Sequence, residues 1–150
     1  KGMCQSMEKR FTRYASIIDR QSKSYYDRAL KEYQIGCGQQ FFLLWIYESP
    51  GVPLTVLSEQ GQFDKGTTTK AVQKLKQLGY IGSEQDEKDK RMQKLFVEEK
   101  AIPVIEKIYA VREKINTLLS IGFTEEEEAL AGTIMKKMAE NAGCYLAENK

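Results

Sequence analysis

The chain has 150 residues, 41% of them hydrophobic, and a formal charge of +2. That is apolar material for one compact domain with a real core, and too little net charge to imply nucleic acid by itself. There is no histidine, which excludes His-based triads, His metal sites and the commonest general acid or base. Cys4, Cys37 and Cys144 are far apart and form no C-x-x-C pair, so neither a zinc site nor a dithiol motif is supported. No glycine-rich phosphate loop is present. The chain reads as a non-enzyme with no cofactor and no metal. No segment approaches the roughly 20 apolar residues of a membrane span, and no secretory pattern is found, so a cytoplasmic chain without a membrane partner is expected.

In chain order, the first predicted helix runs from Met7 to Lys31, with Phe11, Tyr14, Ile17 and Ile18 set among charges and no proline or glycine between them. A short helical segment follows at Leu54–Gln60, broken by Gly61, which is expected to supply a positive φ. Asp64 is a good N-cap for a helix from Lys65 to Leu78. On that helix Thr68, Val72, Leu75 and Leu78 form a core-facing stripe, and Thr67, Lys70, Gln73, Lys74 and Gln77 the opposite face. Gly79 stops it. Tyr80–Ser83 then reads as a strand, Asp86–Arg91 as a charged turn and Met92–Val97 as the returning strand.

A second long helix is predicted from Glu99 to Ser120, carrying Ile102, Ile105, Tyr109, Ile115, Leu118 and Leu119. Pro103, about five residues in, is expected to delete a backbone bond and bend it. Thr124 to Glu127 reads as a capping box opening a last helix at about Glu125, with Leu130, Ile134, Met138 and Tyr145 on its buried side. The order helix, turn, helix, strand, charged loop, strand is that of a winged helix-turn-helix. Hydroxyls, amides and ammonium groups at helical spacing suit a major groove, where base edges offer donors and acceptors and phosphates offer charge. Lys65, Lys70, Lys74 and Lys76 oppose only Asp64 on that helix, a basic face on a nearly neutral body. The competing reading of the polar helix is a solvated face, or one that docks on an acidic protein partner.

Asp64 to Ile81 resembles the MarR family of bacterial transcriptional regulators, whose pattern is D-K-S-T-V-T-R-L-V-D-x-L-E-x-x-G-L-I. Asp86-Glu87-Lys88-Asp89-Lys90-Arg91 is similar to its wing signature D-x-R-D-x-R. Phe41 to Ile46, followed by Ser49 to Val52, resembles the family's second helix and the segment before its helix-turn-helix. The sequence departs from the pattern at Gly66, usually Ser, at Lys88, usually Arg, and at Glu98, usually a capping Thr.

The resemblance implies a mainly α fold with a small β-hairpin wing, a single domain over 1–150. Its dimerisation helices would span about 5–31 and 99–148, around a DNA-binding lobe at about 38–97. It implies a homodimer on double-stranded DNA, at a pseudo-palindromic operator, acting as a repressor that a small aromatic or phenolic effector releases. The DNA-binding residues would be Lys65, Thr67, Thr69, Lys70, Gln73, Lys74, Lys88, Lys90 and Arg91. Asp86 and Asp89 would hold the wing, Asp89 by pairing with Arg91. An effector crevice would draw on Arg13, Tyr14, Ile17, Phe41, Trp45 and Tyr109, with Arg10 as a second cation, and a thiol-based redox sensor would rest on Cys4.

Overall fold

The computed structural model describes residues 11–61 and 63–148. The order of elements is α1 (Phe11–Ala29), a 3-10 turn (Lys31–Tyr33), α2 (Cys37–Glu48), β1 (Val52–Pro53), α3 (Leu54–Gln60), α4 (Lys65–Gln77), β2 (Ile81–Gln85), β3 (Gln93–Val97), a 3-10 turn (Glu99–Ala101), α5 (Ile102–Leu119) and α6 (Glu125–Glu148). This is the expected mainly α fold with a small hairpin. The residues divide into two compact units, one ending at Arg112 and the other beginning at Glu113.

The core of the first unit gathers the apolar positions of α2 through α5. Leu43, Ile46, Leu57, Leu75, Leu95 and Ile108 are each completely buried, as is Leu30 at the end of α1. Burying a leucine or isoleucine contributes on the order of 1.5–3 kcal/mol, so these side chains decide how the helices sit. The start of α2 is held from outside: the Cys37 N–H donates to Asp27 Oδ1 at 2.8 Å, satisfying an amide that has no partner within its own helix.

The sheet has the order β1-β3-β2, all antiparallel, with Val52 opposite Leu95 and Ser83 opposite Leu95 on the other side. β1 is absent from the sequence-based expectation, because a two-residue strand containing a proline carries no alternation to read. Two backbone expectations are also corrected. Gly61 has φ −76°, not a positive value; its lack of a side chain serves packing, since a Cβ there would stand 2.6 Å from the Leu57 carbonyl oxygen and 3.0 Å from the Trp45 ring. Pro103 stands in the first turn of α5, not about five residues into a helix. The 3-10 turn precedes it and α5 begins at Ile102, so proline occupies a first-turn position where its missing N–H costs nothing.

The second unit contains the end of α5 and all of α6. The Glu127 N–H donates to Thr124 Oγ1 at 3.1 Å, and four glutamates occupy the first turn of α6, where they complement the helix dipole. The expected buried side of α6 is not buried. Leu130, Ile134, Met138 and Tyr145 are 59%, 45%, 37% and 66% exposed. In the first unit, Phe11, Tyr14 and Ile17 on α1 are likewise exposed.

Candidate nucleic-acid interface

The helix α4 is fixed at both ends. At its start Asp64 is the N-cap: Oδ1 accepts the Thr67 N–H at 2.7 Å and Oδ2 accepts the Thr67 hydroxyl at 2.8 Å. These two bonds, the backbone one first, hold the Asp64 carboxyl below the usual range. At its end Gly79 takes φ +77°, a left-handed conformation that glycine adopts without strain. Lys100 Nζ then donates to the Leu78 carbonyl at 2.8 Å and lies 5.4 Å above the Tyr80 ring, placing a cation at the negative helix terminus. Tyr80 in turn donates its hydroxyl to the Tyr33 carbonyl at 2.8 Å.

Along its length α4 buries Thr68, Ala71, Val72 and Leu75. The buried Thr68 hydroxyl donates to the Asp64 carbonyl at 3.1 Å, so this buried hydroxyl is not left without a partner. Thr67, Lys70, Gln73, Lys74, Lys76 and Gln77 are exposed and Thr69 is half-buried. A face carrying hydroxyl, amide and ammonium groups thus projects from a helix whose other side is anchored.

The wing is a hairpin closed by its own acid. Asp86 Oδ1 accepts the N–H groups of Lys88 and Asp89 at 2.8 and 3.0 Å, and Oδ2 pairs with Lys94 Nζ at 3.0 Å. Those contacts, the Asp89 amide first, pull its carboxyl down to about 2. Asp89 holds the turn in a different way from that expected. Its Oδ1 accepts the backbone N–H of Arg91 at 3.0 Å, and no ion pair joins the two side chains among the described residues. The turn needs an acceptor for a free amide more than it needs a charge pair, and the Arg91 guanidinium stays exposed beside Lys88 and Lys90.

Two grooves connect these parts. One lies between α3 and α4 and is lined by Leu54, Thr55, Ser58, Glu59, Lys65, Thr68 and Thr69. The other lies at the base of the wing and is lined by Pro53, Leu54, Thr55, Asp89, Arg91, Met92 and Gln93. Thr55 borders both, so the start of α3 joins the first turn of α4 to the wing. Sequence reasoning missed Thr55, although a hydroxyl in the first turn of the leading helix was a signal.

The aromatic residues expected to form an effector crevice separate into two groups. Phe41 and Trp45 line a cleft of about 310 Å³ with Leu44, Glu48, Gln60, Gly61 and Arg112. Tyr109 adjoins it, donating its hydroxyl to Glu48 Oε1 at 2.7 Å beneath the Arg112 guanidinium, 5.7 Å from the ring. Arg13, Tyr14 and Ile17 are exposed on α1 and do not line this cleft. The cation that lines this cleft is Arg112, which shares a helix face with Tyr109 three residues earlier, a spacing readable in advance. Cys4 and Arg10 lie outside the described residues. Burial, with Asp27 adding to it, pushes the Cys37 thiol up and away from the reactive thiolate form. Among the described residues no cluster of three or more ligating groups could hold a metal, and no helix is long and apolar enough to cross a membrane.

Residues 38–92 match the model of the MarR family. An HTH-type transcriptional regulator of Bacillus subtilis (strain 168), YybA, is 30% identical over 86% of this chain and 86% of its own length. The chain belongs to the MarR family. A MarR protein from Peptoclostridium difficile has the same fold, with a TM-score of 0.89 and 33% identity over 94% of this chain and 92% of that one. A MarR family regulator from Listeria monocytogenes, solved as a complex with a 26mer DNA, has a TM-score of 0.82 and 28% identity, covering 87% of each chain. In MarR terms, α3 and α4 are the helix-turn-helix of this chain and β2 and β3 its wing.

Proposed function

We propose that this protein is a transcriptional regulator that binds double-stranded DNA as a homodimer, with α4 in the major groove and the wing on the flanking backbone. The observation that carries this reading is the exposed Thr67, Lys70, Gln73 and Lys74 face of a helix anchored at both ends. Lys88, Lys90 and Arg91 on a turn rigidified by Asp86 and Asp89 support the second contact, since cations there meet phosphates or a narrow minor groove. The Listeria relative bound to DNA supports the same use of the fold. A two-fold dimer presents two such helices, so the operator is an inverted repeat with half-sites about one helical turn apart. Occlusion of a promoter makes the protein a repressor, and the Phe41, Trp45 and Arg112 cleft is the place for an aromatic acid that releases it.

Fluorescence anisotropy with the duplex upstream of its own gene, measured across salt, tests the assignment. Lys70→Ala and Arg91→Ala are each expected to weaken binding without altering the melting temperature. Each should also flatten the slope of log affinity against log salt by about 0.9, the worth of one phosphate contact. Unchanged affinity and slope in both variants would remove α4 and the wing from the interface.

A further inference from the structure

Thr67 is exposed on α4, yet its hydroxyl is already engaged. The bond at 2.8 Å between Thr67 Oγ1 and Asp64 Oδ2 has only one possible donor, because an ionised carboxylate has no hydrogen to give. Asp64 is ionised throughout the neutral range, held so by the Thr67 amide and hydroxyl. The second carboxylate oxygen takes the Thr67 N–H at 2.7 Å, which fixes the carboxylate and with it the direction of the threonine hydrogen. A hydroxyl has one hydrogen and two lone pairs. With the hydrogen committed, Thr67 offers an incoming base lone pairs only. Its exposed neighbours differ in this respect: Lys70 and Lys74 only donate, and Gln73 can do either.

We infer that Thr67, held as an acceptor by Asp64, is a specificity-determining residue that selects a base with an exocyclic amine, adenine or cytosine, where it meets the major groove. The inference rests on the DNA-binding reading above. In that groove adenine presents its N6 amine and cytosine its N4 amine, whereas guanine presents only acceptors and thymine an acceptor and a methyl group. An acceptor set against another acceptor gains no bond and leaves both oxygens desolvated.

Binding-site selection from a random duplex library tests this with the full chain and three variants. Thr67→Ser keeps both bonds to Asp64. Thr67→Val removes the hydroxyl at nearly equal volume. Asp64→Asn keeps the cap, since asparagine and aspartate serve about equally there, but its amide nitrogen can now donate to Oγ1 and free the threonine hydrogen to point outward. The expected result is an adenine or cytosine preference at one position of each half-site for the wild type and Thr67→Ser. In Thr67→Val the preference should fall by about three- to tenfold, the worth of one neutral hydrogen bond, and in Asp64→Asn it should turn toward guanine or thymine. Identical preferences in all four proteins, or a loss of affinity spread evenly over every sequence, would overturn the inference and leave the DNA-binding reading standing. Failure of the wild type to enrich any sequence would overturn both.

Discussion

At Gly61 the physical reason for a residue differs from the one its type suggests. Its φ of −76° is open to any amino acid, so the position does not need glycine for backbone freedom. It needs glycine for space: a Cβ would meet the Leu57 carbonyl oxygen at 2.6 Å, the Trp45 ring at 3.0 Å and the Phe63 ring at 3.2 Å. Phe63 itself packs at 5.1 Å from Phe41 and 5.0 Å from Phe42, ring centre to ring centre, so it has little freedom to retreat. Gly61→Ala should therefore lower stability by about 1–3 kcal/mol, the usual cost of overpacking. The check is the midpoint of a urea titration, and a midpoint equal to the wild type would mean that the turn between α3 and α4 gives way freely. Gly61 also lines the Trp45 cleft, so a methyl group there narrows that cleft.

Among the elements, the wing shows how one carboxylate can organise a loop whose working groups are cations. Asp86 accepts from Lys88, Asp89 and Lys94, and its carboxyl is pulled down from 3.8 to about 2. A depressed carboxyl stabilises the fold fully above its unfolded value and loses that contribution as the pH falls through its folded value. The difference in urea midpoint between wild type and Asp86→Asn should thus be constant from pH 7 down to about 4 and shrink as the pH falls towards about 2. A difference that stays level over that interval would mean that the ionised form gives the turn nothing. The wing and α4 were both legible from residue type alone, because Asp64, Gly79 and the acid-rich turn are punctuation with local causes. What depended on three-dimensional approach was not: the two-residue β1, the aromatic wall against Gly61, and the turn that sets Pro103 at a helix start. The Asp64 cap could be read in advance, but the second bond that turns the Thr67 hydroxyl inward depends on a rotamer.

At the scale of the whole molecule, many large apolar side chains of the described residues are exposed. Among the described side chains of α6 none is buried, yet Leu130, Ile134 and Met138 recur every four residues along it, and Leu118, Leu119, Ile121 and Phe123 are exposed in the same unit. A large contiguous apolar patch marks an interaction site more often than a free surface, so exposed apolar residues recurring along one helix point to a partner. A second copy is the occupant consistent with the proposed two-fold arrangement on DNA. Replacing Ile134 and Met138 together by glutamate sets charges against that face, and neither residue is among the buried core side chains. The double variant is expected to sediment at the mass of one chain where the wild type sediments at two, while far-UV circular dichroism keeps its helical signal. Its affinity for an inverted-repeat duplex should fall by about a hundredfold or more, because the second half-site then binds independently and not at a high effective concentration. Binding to a single half-site should be nearly unchanged. Were the double variant to keep the mass and the affinity of the wild type, the subunit contact would have to be sought on another face.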